Sequence, residues 1–426
     1  MKKIVIIGLD GVPFELIKDF SDKGVMPNTS QIIQEGDLRC MSSSLPEVSS
    51  VAWSSIITGK NPAEHGIFGF TELYPNTYQI RFPNFLDLKE RPFWERVKEN
   101  SIIINLPATY PVREMRGVHI SGFVSIDLER SVYPKELIPK LKEFGYQLDV
   151  DSEKAHHSLD LFLEDLDKTL EARVKTYRYL WESYKWGIFM LVFTGTDRLM
   201  HFLWSAYEDE NHKYHQQFLD HFRKIDEVIG QIHNRLDSND LLIILSDHGF
   251  EGLDKDIYIN YLLRKEGFLK FEDTQPEWRN ISSESLAFAL DPARIYLNLK
   301  GNYPKGKLSK EDKEIVLRDL EGLFSSLEVE GKRVIKSIYR KEEIYKGPFL
   351  ESAPDLVLVG EKGFNLKANI KAKNLSDRGV FTGKHTQDNA FILVNRDLLE
   401  SSSKKTSVFD VAKIVIESTE NSYSKR

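Results

Sequence analysis

The stretch Leu241-Leu242-Ile243-Ile244-Leu245-Ser246-Asp247-His248-Gly249 decides how this chain is read. Five aliphatic residues without alternation predict a strand buried on both faces of a parallel sheet, and polar residues gather at its carboxyl end. Ligand sites of open α/β sheets lie at such ends. Asp247 offers a hard oxygen and His248 an imidazole nitrogen, the donor mixture that suits a zinc-like divalent ion. A plain turn, with Asp247 capping the next segment and Gly249 supplying positive φ, explains the same residues equally well. Other strand ends have to decide between the two.

Ile4-Val5-Ile6-Ile7 is a second β-branched run, followed by Gly8-Leu9-Asp10-Gly11. On its own Asp10 reads best as a cap for the segment after Pro13. Residues 186–193 form a third buried run, and Thr194-Gly195-Thr196-Asp197 follows it. Asp197 and His201 are four residues apart, so on a helix they project from one face and can hold one ion together. Further strands are expected at 102–106, 354–359 and 390–394, and long amphipathic helices at 159–184 and 213–236.

Residues 36–70 are rich in small hydroxyl side chains, and a helix is predicted to begin near Ser49. Capping is the ordinary role of a serine there; the same N–H groups and dipole also favour an alkoxide or a bound phosphate. His65 in the turn-rich stretch 59–66 reads as a structural histidine. So do His212, His215, His221 and His233, whose spacing does not converge, while His156 and His157 read as solvated surface. His385 follows Gly383-Lys384 in a polar loop, where a lone histidine is normally just exposed.

Composition narrows the classes. The 426 residues can bury a large core, and the formal net charge of −7 gives no electrostatic case for wrapping nucleic acid or an anionic membrane. No apolar run approaches the length of a membrane span. Gly8 and Asp10 interrupt the opening apolar run too early for a signal peptide, so a cytoplasmic protein is expected. The single cysteine, Cys40, leaves carboxylates and histidines as the ligands of any metal. One catalytic domain over residues 1–426 is expected, with insertions or cap regions at 76–184 and 260–345. A serine- and lysine-rich linker is expected at 401–405.

Three buried strands thus end in aspartate, at Asp10, Asp197 and Asp247, and parallel strands bring such ends to one edge. Adding His201, His248 and His385 gives three carboxylates and three imidazoles, enough for two divalent ions. Two ions about 4 Å apart can clamp the attacking and leaving oxygens of an in-line phosphoryl displacement. Three carboxylates and an ionised serine would cancel the four positive charges, leaving a site ready for an anionic phosphate.

The ordered set Asp10-Gly11, Pro46-x-x-Ser49 ahead of Ala52-Trp53, Thr58-Gly59-x-x-Pro62-x-x-His65-Gly66, Asp197-x-x-x-His201, Asp247-His248-Gly249 and Gly383-x-His385 resembles the alkaline phosphatase superfamily. Within it, the sequence is most similar to the type I phosphodiesterase and nucleotide pyrophosphatase family and its phosphohydrolase or phosphomutase relatives. The resemblance implies an α/β three-layer sandwich, with a mostly parallel central sheet, helices on both faces and inserted cap segments. It implies that Asp197, His201 and His385 hold one metal, that Asp10, Asp247 and His248 hold the other, and that Ser49 is the nucleophile coordinated to the second. Zinc is the metal implied, or manganese as in the phosphoglycerate mutase branch, with a phosphoserine intermediate.

The chain departs from that pattern in places. Ser49 stands where nucleotide pyrophosphatases usually carry threonine, Ala52 where they tend to carry asparagine, and Pro13 where an arginine is common. Ser49 also lacks the proline and arginine signature of the sulfatase branch. The expectation is a metal-dependent phosphoester hydrolase of the phosphodiesterase or pyrophosphatase kind, acting on a small phosphorylated substrate. A phosphomutase or monoesterase is the nearest alternative. An inert binding protein with this fold is the rival from another class, and the filled nucleophile and ligand positions count against it.

Overall fold

A strand covered on both faces keeps every side chain out of water, so its sequence loses alternation. The aliphatic runs behave in this way in the computed structural model of the chain, which describes residues 2–396 and 405–420. Residues 401–404 of the expected linker lie outside the described residues. The strands β1 (Ile4–Leu9), β2 (Asp37–Ser42), β3 (Ser101–Leu106), β4 (Gly117–Ser121), β5 (Val132–Tyr133), β6 (Ile188–Phe193), β7 (Leu241–Leu245), β8 (Ala390–Val394) and β9 (Thr406–Ser407) make one sheet. Their order is β9-β2-β8-β7-β1-β6-β3-β4-β5.

Strands β7, β1, β6, β3 and β4 run parallel. β8 is antiparallel to both β7 and β2, and β5 closes the far edge antiparallel to β4. β1, β6, β7 and β8 are buried along their whole length. Register does the rest: Leu9 pairs with Phe193 and Gly8 with Leu245, so the three strands that carry the aspartates end level with one another. The expected α/β architecture, a large, mostly parallel sheet flanked by helices, is what the chain adopts.

Four helices matter for the site and its surroundings: α1 (Ser49–Thr58), α2 (Leu159–Ser183), α3 (Gly195–Glu208) and α4 (His215–His233). α1 is buried all round, and its Trp53 packs on β1 where Gly8 has no side chain. A Cβ on Gly8 would stand 2.5 Å from the Trp53 ring, so glycine is what lets the indole lie there.

The chain forms two compact units. One takes Met1–Lys60, Asn84–Glu251 and Val380–Arg426, and contains the nine-stranded sheet. The other takes Asn61–Pro83 and Gly252–Gly379. It holds a four-stranded antiparallel sheet (Ala287–Leu290, Arg294–Leu297, Leu356–Gly360, Ile335–Arg340), and a core of its own that includes Phe288, Ile295, Leu320 and Leu356. Residues 260–345 therefore lie in the second unit, whereas residues 84–184 lie in the first, where β3, β4 and β5 extend the sheet. Among the described residues no helix is long and apolar enough to cross a membrane.

Candidate metal centre and nucleophile

Every expected ligand sits at the carboxyl edge of the first unit's sheet. Asp10 follows β1 directly, and its carbonyl accepts a 2.6 Å hydrogen bond from Thr196 Oγ1. Asp197 and His201 lie one turn apart on α3, with His201 Nε2 3.4 Å from Asp197 Oδ1. His385 comes from the short strand Gly383–Thr386, which is laid against α3 by the Thr382 N–H donating to the His201 carbonyl at 2.7 Å. Gly383 is needed for that approach, since a Cβ there would be 2.7 Å from the Met200 carbonyl oxygen. His385 is thus half-buried and aimed at Asp197, its Nε2 3.0 Å from Asp197 Oδ1.

Gly11 allows the aspartates to converge. Its φ is +72°, and a Cβ would press on His248 Cε1 at 3.1 Å and Asp197 Oδ1 at 3.2 Å. Its N–H donates to Asp247 Oδ1 at 3.1 Å. Asp247 Oδ2 is completely buried, has no hydrogen-bond partner among the described residues, and lies 3.4 Å from His248 Nε2.

Ser49 does not cap its helix. Val48 occupies the capping position without a side-chain bond, and Ser49 is the first helical residue. Its Oγ lies 3.2 Å from His248 Nε2 and 3.4 Å from Asp10 Oδ1. Nearby, Trp53 Nε1 donates to Asp10 Oδ2 at 3.2 Å.

The imidazole tautomers follow from their backbone partners. The Nδ1 atoms of His201, His248 and His385 lie 3.2, 3.1 and 3.0 Å from the carbonyl oxygens of Gly383, Gly249 and Glu47. A carbonyl only accepts, so each Nδ1 carries the proton and each Nε2 presents a lone pair. Burial lowers all three imidazole pKa values, that of His248 to about 4, so neutral rings prevail. Burial raises the Asp10 carboxyl well above its ordinary value, helped by Asp247 and Asp197, and raises Asp247 to about 7. Burial would raise Asp197 too, but His201, His385 and Arg198 surround it and hold it below the usual carboxylate range.

Three carboxylates and three imidazole lone pairs therefore face a common space, with Arg198 as the adjacent fixed cation. Arg198 donates to Asp197 Oδ2 at 3.0 Å, and it is shared with Asp149 at 2.8 Å. Such a donor set lacks positive charge, and the orphaned Asp247 oxygen lacks a partner; divalent cations would supply both. The residues present fit such ions. Two triads bring their ligand atoms within 4.8 Å of one another: Asp197, His201 and His385, and Asp10, Asp197 and His248. Asp197 belongs to both, and Asp247 stands beside the second.

Two side chains escaped the sequence reading. Arg198 holds Asp197 from the side, and its only signal was adjacency to that aspartate. Trp53 orients Asp10 through an indole N–H that sequence spacing does not reveal. His65 lies in the second unit, buried, with its Nδ1 accepting from the Ile67 N–H at 3.2 Å. His156 and His157 are exposed.

Comparison with known proteins bears on the family and the fold. Across solved structures, phosphonoacetate hydrolase from Sinorhizobium meliloti 1021, in complex with phosphonoformate, superposes with a TM-score of 0.64 at 17% identity, covering 98% of this chain and 96% of that one. Murine ectonucleotide pyrophosphatase/phosphodiesterase 5 in complex with AMP gives a TM-score of 0.56 at 14% identity, over 99% of this chain and 95% of that one. The human form gives 0.56 at 14%, over 98% and 95%. No curated protein matches by sequence. The family model described as type I phosphodiesterase/nucleotide pyrophosphatase matches residues 4–388, so the chain belongs to that family of phosphoester hydrolases, within the alkaline phosphatase superfamily.

Proposed function

We propose that the chain hydrolyses a phosphodiester or pyrophosphate bond of a small molecule, with Ser49 as nucleophile and a phosphoserine intermediate. The observation that carries this reading is the position of Ser49 Oγ, 3.2 Å from His248 Nε2 and 3.4 Å from Asp10 Oδ1, at the first residue of α1. Asp197, His201 and His385 would hold one divalent cation, and Asp10, Asp247 and His248 the other, with Ser49 bordering the second. The mixed nitrogen and oxygen donors suit zinc, with manganese as the alternative. Bound there, the two cations would supply Lewis-acid stabilisation of phosphoryl oxygens and would lower the pKa of hydroxyl groups in contact with them.

The chain's own groups do the positioning. Asp10 Oδ1 and His248 Nε2 fix the Ser49 hydroxyl, and the positive end of the α1 dipole favours negative charge on Oγ. With its proton released to solvent, Oγ attacks phosphorus in line, the bond to the leaving oxygen breaks as that oxygen takes up a proton from water, and the phosphoryl group, still carrying the remaining substituent of a diester or pyrophosphate, rests on Ser49. Water then displaces it and restores the hydroxyl. Solved neighbours bound to phosphonoformate, phosphonoacetate and AMP support a small phosphorus-containing anion as the substrate class.

The test is hydrolysis of a nitrophenyl phosphodiester and the matching monoester by metal-free protein reloaded with zinc or manganese, beside Ser49→Ala. Metal-dependent turnover, faster on the diester and reduced at least a thousandfold in the variant at unchanged metal content, is expected. Equal turnover by Ser49→Ala would remove the nucleophile, and preference for the monoester would place the enzyme among the phosphatases.

A further inference from the structure

A partly polar cavity lies in the first unit, between α2, α4 and the start of α3. A small cavity there is lined by Thr169 and Arg173 of α2, His221 of α4 and Gly195 of α3, with Leu166 and Phe193 completing its apolar wall. All of these residues are buried. The cavity is small, with room for about one water-sized particle.

Its polar lining is unsatisfied. Thr169 Oγ1, Arg173 Nε and both ring nitrogens of His221 lack a hydrogen-bond partner among the described residues, although the three residues are only 3%, 2% and 3% exposed. Arg173 donates Nη2 to the Gln147 carbonyl at 3.1 Å and packs on the Tyr146 ring at 5.4 Å, and it forms no ion pair among the described residues. The nearby carboxylates are engaged elsewhere: Asp149 by Arg198 at 2.8 Å, Asp165 by Lys154 at 2.5 Å, and Asp167 by Lys224 at 2.8 Å.

A guanidinium cannot shed its charge, and burying it unpaired is expensive. Arg173 Nε only donates, the Thr169 hydroxyl can donate, and a neutral His221 has one N–H to give. Gly195 opens α3, whose amino end carries partial positive charge. Such a lining calls for an acceptor that carries negative charge, and the space excludes a four-oxygen anion such as phosphate.

We infer that this cavity is a halide site, holding one chloride ion between Arg173, Thr169 and His221 and bracing the first turn of α3, the helix that presents Asp197 and His201. The site is independent of the phosphoester reading. Gly195 links it to the metal centre: a Cβ there would meet Leu166 at 2.8 Å and His221 Nε2 at 3.2 Å, so the helix start lies against the cavity wall.

The test uses the intact protein, purified and crystallised with bromide as the only halide, and data collected at the bromine edge. An anomalous peak in contact with Arg173 Nε and Thr169 Oγ1 is expected. Density without anomalous signal would mean ordered water only, and would overturn the assignment. In solution, Tm should rise saturably with chloride or bromide relative to gluconate at equal ionic strength. Arg173→Met should abolish that rise. Should it fail to fold, Thr169→Val serves: loss of one hydrogen bond to an ion should raise the half-saturating chloride concentration about tenfold. A Tm indifferent to halide, or a response unchanged in Thr169→Val, would sink the proposal.

Discussion

His201 Nε2 and His385 Nε2 face each other at 2.9 Å, and both look onto Asp197 Oδ1. Each ring gives its Nδ1 proton to a backbone carbonyl, so two lone pairs and a carboxylate meet with no proton between them. A cation removes that repulsion and would stabilise the folded chain by mass action, by about 2.7 kcal/mol at a hundredfold excess over Kd. Dialysis against a chelator should lower Tm, and zinc or manganese should restore it. His385→Ala should lose at least one metal equivalent and most of the metal-dependent rise in Tm. Equal metal content by elemental analysis in wild type and His385→Ala would remove His385 from the ligand set.

Trp53 joins packing to the site, since its ring occupies the space over Gly8 and its N–H holds Asp10 Oδ2. Trp53→Phe keeps most of the apolar volume and deletes the donor, so metal affinity should fall about 10- to 100-fold while stability changes little. Gly8→Ala forces the indole aside and should cost about 1–3 kcal/mol in urea unfolding. If Trp53→Phe binds metal as the wild type does, Asp10 is positioned by other contacts.

Much of this was legible from the residues alone. The runs at 4–7, 186–193 and 241–245 announce doubly buried strands because no position on them meets water, and parallel pairing then brings the aspartates after them to one edge. β2 does not announce itself as a strand, since Asp37-Leu38-Arg39-Cys40-Met41-Ser42 is mostly half-buried and lacks a strong period. From its spacing alone His385 reads as an exposed loop residue, and only the family resemblance implies a ligand there; its position depends on Gly383 meeting the Met200 carbonyl, a contact between residues far apart in sequence. The sharing of Asp197 between both triads depends on side-chain geometry that order along the chain does not encode. The second unit joins residues 61–83 to 252–379 through bonds such as Arg294 Nη2 to the Thr71 carbonyl at 2.7 Å, which no local pattern foretells.

Arg198 acts on Asp197 as a positioning residue. Its guanidinium spans Asp197 and Asp149 and lies 4.1 Å from the Phe123 ring centroid. Arg198→Met leaves two largely buried carboxylates without their cation, and should destabilise the protein by about 3–5 kcal/mol. Arg198→Lys restores charge but not the planar fork, so stability should recover in part and kcat should remain depressed. A simple structural role would give wild-type kcat in any Arg198→Lys protein that is fully folded and metal-loaded; steady-state kinetics on such protein decides.

His119, on β4 and outside the candidate metal centre, is expected to make the fold sensitive to acid. It is buried in β4 with Nε2 unpartnered, and its ring meets Phe85 and Trp94 edge-on at 5.7 and 5.6 Å. Burial, aided by Arg113, lowers its pKa to about 3. Unfolded histidine titrates near 6.5, so between about pH 6.5 and 3 the unfolded chain binds a proton that the folded one refuses. Stability should be unaffected by this residue above pH 6.5, then fall by up to about 1.4 kcal/mol per pH unit as pH drops, reaching about 4 kcal/mol near pH 3. His65, lowered to about 3, and His221, lowered to about 4, add slopes of the same sign. His119→Leu should therefore reduce the pH slope of the unfolding free energy by about one proton, whatever its effect on stability at neutral pH. Urea unfolding from pH 7 to 4 in the presence of chelator measures both slopes, and parallel curves for wild type and variant would show that His119 accepts its proton without unfolding.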